Sequence, residues 1–146
     1  MSKPPTKSIL LVDDDFSFLI MAMDAIRATT STAIAFQIAL NGAEAMNYLR
    51  GEMEYADRGQ YPLPDLVLFQ VNLTGMSGLE LLAWLKRQPQ FQEIPVILMH
   101  APDSELEPSD LEQATYLGVS LMISKPTSPQ SASDFSKQVL NVLFAA

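Results

Sequence analysis

Three consecutive aspartates, Asp13, Asp14 and Asp15, follow the apolar run Ile9 to Val12, and Lys125 with Pro126 behind it follows the run Leu121 to Ile123. Clustered carboxylates can hold a cation, and an ammonium can neutralise them or meet an anionic group. Two further polar residues close apolar runs: Gln70 in "PDLVLFQVNL" and His100, the only histidine, after "VILM". Gln70 breaks the pattern. Its amide oxygen is neutral and its nitrogen lone pair is delocalised, so it offers neither the nucleophile nor the anionic metal ligand that a carboxylate would.

These residues can work together only if the chain brings the ends of its apolar runs to one place. The runs "ILLV", "LVLF" and "VILM" are uniformly apolar, as strands covered on both faces are. Ile34, Phe36 and Ile38 alternate with Ala35 and Gln37, which fits an edge strand, and "LMI" at residues 121–123 is a last short strand. Helical spacing fills the gaps. Phe16, Leu19, Ile20, Met23 and Ile26 predict a first helix with Asp15 as N-cap, and Ala45, Met46, Leu49 and Met53 predict a second. "SGLE" at 77–80 and "SDLE" at 109–112 read as capping boxes opening a third and a fourth, and Phe135, Val139 and Val142 mark a fifth. The segment 51–64 is expected to extend the second helix and then loop back.

Strand followed by helix, five times over, predicts an open parallel sheet with helices on both faces. Binding sites of such sheets lie beyond the carboxyl ends of the strands, where Asp13, Asp14, Gln70, His100 and Lys125 would meet. The 146 residues suit one domain, 1–146, with residues 1–7 expected as a flexible tail. A 48% hydrophobic and 18% charged composition argues against wholesale disorder. The formal charge of −8 disfavours nucleic acid as a partner, and no apolar run is long enough to span a membrane. Without an export signal or a cysteine, the cytoplasm is the expected compartment.

The segments "ILLVDDD", "PDLVLFQVNLTGMSGLELL", "IPVILMHA" and "GVSLMISKP" resemble, in order, the signature segments of response-regulator receiver domains, as in CheY-like proteins of two-component signalling. The resemblance covers nearly the whole chain. It implies a flavodoxin-like (βα)5 doubly wound sheet of strand order 2-1-3-4-5. Asp13 and Asp14 match the acidic pair that holds magnesium in that family, and Lys125 matches the lysine that contacts the phosphoryl group. The phosphoacceptor aspartate falls at Gln70, the switch serine or threonine at His100, the switch aromatic at Met122 and a common proline at Thr74. The scaffold agrees while the reactive and switching positions do not.

The resemblance and the substitutions together lead to a non-enzymatic pseudo-receiver acting by protein–protein contact in a two-component or related pathway. Its partner is expected to be a histidine kinase or a downstream effector. A homodimer through the fourth helix, fifth strand and fifth helix is open, with Tyr116, Leu121 and Met122 as a contact patch. No cofactor is expected beyond weak or vestigial Mg2+ binding at Asp13 and Asp14. A charged His100 beside those carboxylates is expected to replace part of the metal's charge. Trading Asp for Gln also relieves repulsion, since two carboxylates ~4 Å apart repel by about 1 kcal/mol in water and about 4 at an effective dielectric of 20. The segment 51–64 is similar to that of small stand-alone regulators linked to bacterial phytochromes. Two alternatives stay open: phosphoryl transfer to Asp13, Asp14 or His100, and a haloacid-dehalogenase-type phosphatase using Asp13 and Asp15. A flavodoxin-like FMN site fits less well, because three aspartates repel a phosphate.

Overall fold

The computed structural model describes residues 6–102 and 107–145. Five strands, β1 (Thr6–Val12), β2 (Ala33–Ala39), β3 (Leu66–Gln70), β4 (Val96–His100) and β5 (Leu121–Ser124), alternate with five helices: α1 (Phe16–Thr29), α2 (Gly42–Arg50), α3 (Gly78–Lys86), α4 (Pro108–Tyr116) and α5 (Pro129–Leu143). The strands pair in parallel in the order β2-β1-β3-β4-β5, the expected doubly wound sheet. Thr6 and Lys7, placed in the tail by the sequence, are the first residues of β1, where they pair with Ala33 and Ile34 of the edge strand. Residues 1–5 of that expected tail lie outside the described residues.

Alternation along the strands divides the core in two. Leu10, Val12, Val67, Phe69 and Leu98 pack with Tyr48, Leu49, Leu81, Leu82 and Leu85, from α2 and α3, on one face. Ile9, Leu11, Leu66, Leu68, Ile97, Met99 and Ile123 pack with α1 and α5 on the other. Uniformly apolar strands are what a sheet covered on both sides requires.

The helices begin and end where local chemistry allows, and four expectations need correcting. The buried side chains of α1 are Phe18, Leu19, Ala22 and Ile26, while Phe16 and Ile20 are exposed. The buried face is turned toward α5, with Phe18 and Phe135 meeting edge to face at 6.0 Å between ring centroids. α2 stops at Gly51, whose left-handed backbone (φ 69°) and N–H bonded back to Asn47 O and Tyr48 O form a helix-ending turn. Met53 therefore leaves the helical stripe and is exposed in a short 3-10 turn. The loop after it is pinned rather than loose. The Arg58 guanidinium donates to the carbonyls of Tyr48 and Leu49 at the open end of α2 and to that of Tyr61. The Tyr48 hydroxyl donates to Pro62 O at 2.7 Å. At α3, Ser77 accepts from Glu80 N at 3.1 Å, one of the two bonds of the expected capping box. At α4 the helix starts one residue ahead of Ser109, at Pro108, with Glu107 at the cap position and no side-chain cap bond. The capping box predicted for the fourth helix does not form; one forms instead on α5, between Ser128 and Ser131.

No helix among the described residues is long and apolar enough to cross a membrane.

Candidate functional site at the carboxyl rim of the sheet

Strand register delivers the predicted residues to one edge. Val12 pairs with Phe69, so Asp13 and Gln70 are the next residues along two adjacent strands. Gln70 pairs with Met99, and His100 with Ser124. Backbone bonds carry the ladder past the strand ends: Asp13 N–H donates to Ala39 O at 3.0 Å, Val71 N–H to Met99 O at 2.8 Å, and Lys125 N–H to His100 O at 2.9 Å. The rim is thus a continuation of the sheet, and its main chain is fixed before any side-chain contact is counted.

Within this rim the side chains divide unequally. Asp13 is 1% exposed, and a carboxylate so placed needs partners. Its Oδ1 accepts the N–H of Asp15 at 2.9 Å. Its Oδ2 lies 3.0 Å from Lys125 Nζ, an ion pair whose angles fall outside hydrogen-bond geometry. Asp15 caps α1, its Oδ1 accepting from Phe18 N at 3.2 Å, and turns Oδ2 to within 3.9 Å of the same ammonium. The ammonium also sits over the Phe18 ring, 4.4 Å from its centroid, a cation–π contact. The Lys125 side chain is itself 15% exposed. Lysine, two carboxylates and a ring form one knot at the mouth of β1. Phe18 is the member that sequence reasoning missed. Its signal was its place three residues after the cap, in the first turn that Asp15 sets.

The other predicted residues stand outside the knot. Asp14 is exposed. Gln70 is half-buried at the end of β3, and its backbone is crowded by the start of α3: Gly78 N–H donates to Val71 O at 2.7 Å, and a Cβ at Gly78 would overlap the Gln70 carbonyl. Only glycine fits there. His100 does not pair with Asp13 or Asp14 among the described residues; its Nδ1 lies 3.1 Å from the carbonyl of its neighbour Ala101. The cationic side chain beside Asp13 is that of Lys125. Met122 is half-buried against the α2–α3 core, Leu121 against the opposite core, and Tyr116 is 89% exposed on α4. The three therefore do not form one continuous apolar patch.

A divalent cation at this rim would need anionic oxygens. Asp13 Oδ2 already holds an ammonium, residue 70 offers a neutral amide, and no three His, Cys, Asp or Glu side chains gather as a ligand set among the described residues. The residues present do not fit such an ion. For a phosphatase of the type considered, Asp15 would have to act as the acid, yet it is engaged as the cap of α1.

The family model described as the response regulator receiver domain matches residues 9–134. The chain belongs to the receiver-domain family. Among this receiver's curated relatives, "Response regulator Rcp1" of Synechocystis sp. is 31% identical over 119 residues, 80% of this chain and 78% of that protein. "Polar-differentiation response regulator DivK" of Brucella anthropi is 31% identical over 122 residues, 84% of this chain and 86% of that one. Among solved structures, that of the phosphorylated cyanobacterial phytochrome response regulator RcpA superposes on the receiver with a TM-score of 0.84, at 29% identity and 97% coverage of both chains.

Proposed function

We propose that this receiver works without aspartyl phosphorylation, as a protein-binding component of a two-component pathway. The observation that carries the reading is Gln70, an amide at the rim position beside Asp13 where the family places its phosphoacceptor. An acyl phosphate needs a carboxylate oxygen as nucleophile, and an amide does not provide one. The relay positions agree. His100 has no hydroxyl to follow a phosphoryl group, and its ring faces the Ala101 carbonyl. Met122 has no aromatic ring and packs inward.

With that trigger gone, the balance of conformations is set by the sequence and by whichever partner binds one state better. The likeness to Rcp1 and to a phytochrome response regulator supports a histidine kinase of phytochrome type, or its downstream effector, as that partner. The face formed by α4, β5 and α5 is the candidate contact surface, with Tyr116 its most exposed side chain.

The test is incubation with acetyl phosphate, and separately with beryllium fluoride, in the presence of magnesium. Intact mass should show no adduct on the wild type, and amide spectra should show no beryllium fluoride response. Gln70→Asp should gain beryllium fluoride binding without complete switching, because His100 and Met122 remain. A phosphoryl adduct on the wild type would sink the reading and direct attention to Asp14, the exposed carboxylate of the triplet that neither caps α1 nor faces Lys125.

A further inference from the structure

We infer that the Lys125 ammonium is a built-in counter-ion, standing at Asp13 in place of a divalent cation and shutting such ions out of the rim. The inference deepens the reading above and rests on it for the absence of a carboxylate at residue 70. A carboxylate as buried as Asp13 must be paired or give up its charge. One oxygen has the Asp15 N–H; the other has, among the described residues, only the lysine ammonium at 3.0 Å.

The ammonium is not held by Asp13 alone. Asp15 Oδ2 at 3.9 Å and the Phe18 ring at 4.4 Å draw it to the start of α1. An ion arriving at Asp13 would meet a positive charge at contact distance. To displace it, the ion would have to strip the ammonium from a carboxylate, a second carboxylate and an aromatic face together. In return it would gain two carboxylates, Asp13 and Asp14, with a neutral amide where a third could stand. The exchange does not favour the ion. Removing the ammonium reverses that balance, because Asp13 is then a buried anion without a counter-charge and the nearest remedy is a metal.

Manganese(II) alone is the probe. Its uptake by wild type, Lys125→Met and Lys125→Arg is measured by loss of the free-ion electron paramagnetic resonance signal. Folding is checked by circular dichroism, and thermal unfolding is recorded with and without the ion. Wild type and Lys125→Arg should take up little manganese. Lys125→Met should bind it about tenfold more tightly or better, the scale on which neighbours of a ligand set move metal affinity, and should be stabilised by it. Equal affinity in wild type and folded Lys125→Met overturns the inference. If Lys125→Met does not fold, Lys125→Gln, whose amide can still donate to Asp13, replaces it under the same criterion. The acetyl phosphate experiment is independent: manganese binding by wild type without an adduct ends the counter-ion inference alone, and an adduct ends the reading of Gln70.

Discussion

α1 and α4 flank the same rim and are held in opposite ways. α1 is fourteen residues long, buries four side chains, begins on an aspartate cap and is tied through Phe18 and Asp15 to a lysine from the far end of the chain. α4 is nine residues long, has Ala114 as its only buried side chain, and starts without a side-chain cap bond. Burial and capping are the terms that fix a helix in place, and nearly all of them here lie on the α1 side. The β1–α1 corner is therefore a fixed support and α4 a lightly held one. In a receiver without a phosphoryl trigger, as proposed here, α4 is where a partner could shift the structure at least cost.

Substitutions can break that contrast or sharpen it. The largest effect is expected from Phe18→Ala, which empties a core position and removes the ring beneath the Lys125 ammonium; urea unfolding should show a loss of about 3–5 kcal/mol. Lys125→Met in metal-free buffer should follow at about 3 kcal/mol, because Asp13 is left buried and unpaired. A loss below about 1 kcal/mol would mean that the corner is not tied as described. Asp15→Ala should cost about 1 kcal/mol through the lost cap of α1, measured in the same way. Its counterpart on the other helix, Glu107→Ala, should stay within about 0.5 kcal/mol, since no side-chain cap bond is lost. Equal costs for the two would erase the contrast. Tyr116→Ser should likewise leave stability within about 0.5 kcal/mol while weakening partner binding in a calorimetric titration. Unchanged binding would remove the α4 face from the proposed contact.

Much of this was legible in the sequence, for reasons that also mark where reading stopped. Strands buried on both faces announce themselves as unbroken apolar runs, so β3 and β4 were found within a residue, while β1 begins three residues before its apolar run, at Thr6. Rim residues followed, since polar groups closing such runs have nowhere else to go. Helix faces were harder. Phe16 and Ile20 have the spacing of a core stripe yet are exposed, because the turn of α1 toward α5 is a tertiary choice that periodicity does not encode. Met53 continued the α2 stripe on paper, but the left-handed Gly51 ended the helix first. Lys125 was expected near the acidic cluster. That it would rest on Phe18, and that His100 would face a backbone carbonyl and not a carboxylate, depended on side-chain directions that only the folded chain decides.

Gly78 leaves no clearance between the first turn of α3 and the carbonyl of Gln70. The contact is with the main chain of residue 70, so it is made whatever side chain stands there. Any side chain at position 78 would have to push the end of β3 away from α3, so this one glycine sets how near the helix can come to the rim.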